Sequence, residues 1–155
     1  MPEIEGAFDA SSLRVGVAVS TFNASVTDGL LAGALEALAG AGATDPTVVR
    51  VAGSFELPVV ARTLIEEGHD CVVALGAVVE GETDHYDHIA TQTAAGLQQV
   101  AVVTGVPVAF GVLTVREAAH AVERSLPGPA NKGAEAAEAV VRAADAMRRV
   151  RGQGS

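Results

Sequence analysis

Cys71 is the only cysteine in the chain, so no intramolecular disulfide can form. It sits in the apolar run 71–75 and reads as a small buried hydrophobe, not a nucleophile. Tryptophan is absent and aromatics make up only 3% of 155 residues, so the core must be built from Val, Leu and Ala. The four Phe therefore become informative by their rarity. Positive charge is scarce, with 10 Lys and Arg against 19 Asp and Glu. A net charge of −9 repels a phosphate backbone, and no basic amphipathic stretch suits an anionic bilayer. Neither nucleic acid nor membrane is expected as a partner. No apolar run reaches the ~18 residues of a membrane span. The start, Met1-Pro2-Glu3-Ile4-Glu5, is acidic where a signal peptide would be basic, so a cytoplasmic protein is expected. The motifs G-x-G-x-x-G, G-x-x-x-x-G-K-[ST] and G-x-S-x-G are all missing, which counts against nucleotide cofactors and serine hydrolysis.

Apolar residues make up 49% and charged residues 19%, which excludes a disordered chain and leaves room for a large subunit interface. The length fits one domain, 1–155, and a chain of this size buries roughly 68–70% of its unfolded surface without a staple. Four short, nearly continuous apolar runs stand out: 13–20, 47–52, 71–79 and 106–113. Such runs predict strands apolar on both faces, inside a layered sheet. Helical periods lie between them, over Leu30–Leu38, Val59–Ile65 and Ile89–Ala101, and two more helical segments follow at 116–125 and 134–149. Alternation of strand and helix gives right-handed crossovers. The expected fold is α/β: a three-layer, flavodoxin-like sandwich with four parallel strands flanked by helices. Residues 1–12 fit no crossover and are expected to form an arm, with an extra edge strand on a neighbour as one form it could take. Residues 151–155 read as a frayed tail.

Ligands of such sheets bind beyond the carboxyl ends of the strands, and the polar residues gather there. After the first run come Phe22 and Asn23. Phe22 either plugs a helix end or offers a flat face for a planar ring, and Asn23 suits a helix cap. After the second come Gly53, Ser54, Phe55 and Glu56. Ser54 could cap the next helix and Glu56 suits its first turn, while Gly53 would let a ligand approach the backbone. After the third, beyond Val78 and Val79, the segment from Glu80 to His88 is the densest polar cluster. Gly81 and Thr83 lie at a strand-to-helix turn able to take an anion, and His85 stands beside it as a proton carrier at neutral pH. Asp84, His85, Asp87 and His88 also resemble metal ligands. Their loose spacing and the surface-like positions of His69 and His120 argue against a metal, and none is expected. His88 is then a surface or interface residue. After the fourth run come Phe110, Arg124 and Lys132, the last being the only lysine. A protein at −9 that takes a phosphate must place cations locally, and an Arg fork suits phosphate best.

These blocks together resemble lumazine synthase: Phe22-Asn23, Gly53-Ser54-Phe55-Glu56-Leu57-Pro58, Leu75-Gly76 through Gly81-Glu82-Thr83-Asp84-His85-Tyr86, the segment 107–114, and Glu123-Arg124 with Asn131-Lys132-Gly133-Ala134-Glu135-Ala136-Ala137. They follow that family's order and spacing over nearly the whole chain. The resemblance implies a condensation without metal or cofactor, joining 5-amino-6-(D-ribitylamino)uracil to 3,4-dihydroxy-2-butanone 4-phosphate. It implies that Phe22 stacks on the pyrimidine, with Asn23 part of the same block. Ser54, Phe55 and Glu56, with the backbone at Val78 and Val79, would hold the ring edge and ribityl chain. Gly81, Glu82, Thr83 and Arg124 would hold the phosphate, and His85 would move protons. Phe110 and Arg124 would come from a neighbouring subunit, with Lys132 close by. Pentamers, in some members packed as sixty-subunit icosahedral shells, are also implied. The short segment 124–132 leans towards the shell.

The sequence departs from the family pattern at several positions. Glu80 stands where a basic residue is common, Ala52 where Pro is usual, Ser54 where Ala is usual and Ala130 where Gly is usual. Glu80 removes a positive charge beside the phosphate loop. It is the feature that would favour the alternative of a flavodoxin-like module binding a riboflavin-related ligand without turnover. A shell protein that has lost catalysis is the other alternative, against which His85 and Arg124 stand.

Overall fold

A computed structural model describes residues 1–152. Four strands, β1 (Val15–Ser20), β2 (Thr47–Val51), β3 (Cys71–Val79) and β4 (Val108–Val115), form one parallel sheet in the order β2-β1-β3-β4. Five helices connect and follow them: α1 (Ala24–Gly40), α2 (Leu57–Glu66), α3 (His85–Thr104), α4 (Ala118–Ser125) and α5 (Lys132–Val150). This is the three-layer α/β arrangement expected. None of the described helices is long and apolar enough to cross a membrane.

The period of two along the central strands divides the core between the sheet's faces. Cys71, Val73, Leu75 and Ala77 join Val15, Val17 and Val19 on the face covered by α1, α4 and α5. Val72, Ala74 and Ala18 face α2 and α3 through Leu57, Ala61, Leu64 and Leu97. Each fully buried Val or Leu contributes about 1.5–3 kcal/mol, so two thin layers of small aliphatics replace the missing aromatics. Burial pushes the Cys71 thiol up to about 12, Asp70 adding to the shift, which makes it inert at neutral pH.

Two expectations change. Only β1 and the first seven residues of β3 are buried throughout; β2 is an edge strand whose Val48 and Arg50 are exposed. Residues 1–12 contribute no strand to this chain's sheet. Their second half packs on α5: the Ala7 N–H donates to Asp145 Oδ2 (2.7 Å), Arg142 Nη1 donates to the Gly6 carbonyl (3.0 Å), and the Arg142 guanidinium lies 5.8 Å from the centre of the Phe8 ring. His69, read as surface-like, is buried: Nδ1 lies 2.7 Å from the Leu64 carbonyl and Nε2 2.8 Å from the Thr47 hydroxyl. A carbonyl only accepts, so in the neutral ring Nδ1 donates and the Thr47 hydroxyl donates to Nε2. Of the tail, Arg151 and Gly152 close a turn on α5, and 153–155 lie outside the described residues.

Candidate active site

The β1–β2 ladder continues past both strands, with the Thr21 N–H donating to the Val51 carbonyl (2.7 Å) and Phe22 N–H to that of Ala52 (3.0 Å). This holds Phe22 beside the turn after β2. Phe22 is 71% exposed and Phe55 58%, so neither ring plugs a helix end; both stand as apolar plates at the sheet's rim. Asn23 occupies the N-cap position of α1, but its side chain makes no capping hydrogen bond. It is left-handed (φ 62°, ψ 51°), and its Nδ2 donates to the Ala77 carbonyl (3.1 Å), tying the β1 turn to β3. Ser54–Glu56 form one 3-10 turn before α2. Ser54 is buried there and caps nothing; Glu56 Oε2 instead accepts from the Gly53 N–H (3.0 Å) and fixes the turn. Between β3 and α3, Thr83 Oγ1 accepts from the His85 N–H (3.3 Å), and exposed His85 opens the helix. Asp84 and His88 pair across one helical turn (3.4 Å). Among the described residues no three His, Cys, Asp or Glu side chains converge as metal ligands would.

These turns enclose a hollow of about 620 Å³ at the carboxyl ends of β1, β2 and β3. Phe22, Ser54, Phe55, Glu56, Val78, Val79, Gly81, Thr83 and His85 all line it. Asn23 and Glu82 do not. Ala52, Gly53, Ala77, Tyr86 and Ile89 complete the wall, and none of the described lining residues is Lys or Arg. Sequence reasoning named neither Tyr86 nor Ile89 as a site residue. The signal for Ile89 was helical spacing, since it stands one turn after His85 on the same face; Tyr86 lay within the polar cluster from Glu80 to His88.

Phe110, Arg124 and Lys132 line a second hollow of about 600 Å³, between β4, the end of α4 and α5. Phe110 does not follow the fourth strand as expected but is the third residue of β4; the apolar run 106–113 already contained it, and the strand starts and ends two residues later than that run. It is an edge strand, which leaves the Phe110 ring 47% exposed. Arg124, in the last turn of α4, donates from Nη1 to the His120 carbonyl (2.9 Å). Lys132 opens α5 and donates to Glu135 Oε2 (2.9 Å). Aromatic plates and a histidine thus stand in one hollow, and the cations in another.

The model of the family 6,7-dimethyl-8-ribityllumazine synthase matches residues 12–148, which include the lining of both hollows. The chain belongs to the lumazine synthase family. It is similar to the 6,7-dimethyl-8-ribityllumazine synthase of Kineococcus radiotolerans, 51% identical over 151 residues that cover 96% of this chain and 92% of the relative. That of Streptomyces coelicolor is 46% identical over 144 residues (92% and 89%), and that of Thermococcus gammatolerans 45% over 148 residues (95% and 96%). Against the lumazine synthase pattern, the unusual Glu80 turns its carboxylate to Arg116 (3.7 Å), and its N–H donates to the Val115 carbonyl (2.9 Å). The acidic substitution is thus paired with an arginine at the end of β4.

Proposed function

We propose that this chain condenses 5-amino-6-(D-ribitylamino)uracil with 3,4-dihydroxy-2-butanone 4-phosphate to 6,7-dimethyl-8-ribityllumazine, phosphate and water, a step of riboflavin biosynthesis. The 5-amino group of one substrate attacks the ketone of the other and one water leaves to give an imine. Phosphate is then eliminated, the former carbinol carbon becomes a carbonyl, and the ribitylamino nitrogen attacks it, losing a second water as the ring closes. Because the imine joins the two substrates, Lys132 forms no covalent bond. Phe22 takes the pyrimidine face, while Ser54, Phe55, Glu56 and the backbone at Val78 and Val79 take its edge and the ribityl chain. Gly81, Glu82 and Thr83 form the phosphate turn at the start of α3, where free N–H groups and the helix dipole favour an anion. His85 moves protons between the imine nitrogen and the carbon that loses phosphate. Holding both reactants in register is the main source of rate.

The observation that carries this reading is the split between the hollows. Among the described residues, the one with His85 has no lining Lys or Arg, and the one with Arg124 and Lys132 has no lining histidine. A phosphate leaving beside His85 therefore needs a cation from elsewhere. A neighbouring copy supplies it if its Phe110, Arg124 and Lys132 close the first hollow. The assembly is a homopentamer acting in the cytoplasm, and the short 124–132 connection is compatible with further packing into a sixty-subunit shell.

The test mixes purified protein with both substrates, following lumazine fluorescence and phosphate release, and measures particle mass in solution. Stoichiometric product and phosphate from a pentamer or a multiple of it are expected. Binding without product, or turnover by a monomer, would overturn the reading.

A further inference from the structure

We infer that Asn131 is a positioning residue that fixes Arg124 for the phosphate, an inference that rests on the proposed clamp. Asn131 is 2% exposed, at the junction of three helices. Its Nδ2 lies 3.1 Å from each of three carbonyl oxygens, those of Gly29 in α1 and of Ser125 and Leu126 at the end of α4. An amide carries two N–H donors, so one is shared among them. Its Oδ1 accepts from the Ala134 N–H (3.0 Å), capping α5. One side chain therefore fastens the carbonyls directly after Arg124 to both neighbouring helices.

Helix α1 is shaped to admit it. A methyl group at Gly33 would collide with Asn131 Oδ1, and one at Gly29 would collide with the Ser125 carbonyl. These glycines stand one turn apart on a single face, so α4 and α5 approach α1 through the gap they leave. The hydrogen bonds engage backbone only. They cannot alter the chemistry of Arg124, but they decide where the last turn of α4 carries it. A displacement of about 1 Å from productive geometry can cost a large factor in rate.

Asn131→Asp and Gly33→Ala test this by different routes. The aspartate keeps the acceptor for Ala134 but turns an oxygen towards three carbonyls. The alanine favours α1 by propensity, leaves the amide intact and pushes it aside. Each variant is expected to raise KM for the sugar phosphate about tenfold, with kcat and KM for the amine within about twofold. In the Arg124→Ala background neither should raise it further, because residues acting through one another are not additive. A loss that adds in full to that of Arg124→Ala, or falls equally on both substrates, would overturn the proposal. Should Asn131→Asp fail to fold, Gly33→Ala carries the test alone. If Arg124→Ala by itself leaves that KM unchanged, the clamp reading has failed and the positioning role falls with it. If Arg124→Ala raises it and Gly33→Ala does not, the positioning role alone is refuted.

Discussion

The two hollows are nearly equal in size, about 620 and 600 Å³, and opposite in chemistry. One gathers two exposed Phe rings, a carboxylate and a histidine at the loops after three strands. The other sets an arginine and the only lysine against an edge strand. The difference lies in topology. The carboxyl ends of β1, β2 and β3 point their loops to one rim, whereas Arg124 and Lys132 come from helices that follow β4, and no further strand among the described residues covers it. An edge strand left open beside two cations is a surface suited to meet another copy's rim. Among the described lining residues, neither hollow alone sets a cation beside a histidine.

The largest effect is expected from His85→Ala. A positioned acid–base group contributes about 10²–10⁴ in rate, so kcat should fall within that range with both KM values little changed. Since His85 is exposed, its thermal midpoint should match that of the unaltered chain. A kcat that stays within a few-fold would remove the proton carrier from the first hollow and leave the comparison without content. Arg124→Ala comes next. Charge-assisted hydrogen bonds contribute about 1.5–3 kcal/mol, so KM for the sugar phosphate should rise about 10–100-fold while the amine is bound as before. A rise confined to the amine would put the cation on the wrong substrate.

Mixing the two impaired variants sharpens the comparison. If each site joins the His85 of one copy to the Arg124 of its neighbour, refolding equal amounts together rebuilds intact sites at about one interface in four. Activity should then recover to about a quarter of that of the unaltered protein. No recovery from well-mixed oligomers would mean that both residues serve the same copy, and the two hollows would have to be joined within one chain.

The sheet was readable in the sequence because buried strands announce themselves as apolar runs; Cys71–Val79 agrees residue for residue. Edge position was not read for Thr47–Val51, although Arg50 inside it was a signal; the sheet order then accounts for the exposure. The loops of the first hollow were readable as rare aromatics and a polar cluster after strand ends. The side-chain ties of Asn23 and His69 were missed for one reason. Their partners, the Ala77 carbonyl and the Thr47 hydroxyl, lie 54 and 22 positions away, and a side chain's role as a tie is set by partners that local pattern does not reveal. Asn131 carried no signal beyond its place in a motif, since its donors serve carbonyls that every residue type supplies.

The smallest expected effect concerns Glu80, and it asks how strictly the first hollow excludes positive charge. Its carboxylate and the Arg116 guanidinium are both well exposed at 3.7 Å, so the pair adds about 0–1 kcal/mol to stability. Glu80→Gln should leave the thermal midpoint almost unmoved while removing a negative charge from the residue before Gly81 and releasing Arg116. Both changes favour an anion at the turn into α3. KM for the sugar phosphate should therefore fall about two- to threefold at low salt, and the gain should fade as the screening length shrinks to about 3 Å at 1 M salt. A gain that persists at high salt would mean that Glu80 acts by contact and not by field. No gain at any salt would mean that Arg116 already cancels its charge, and the chain's departure from the family at this position would be electrostatically silent.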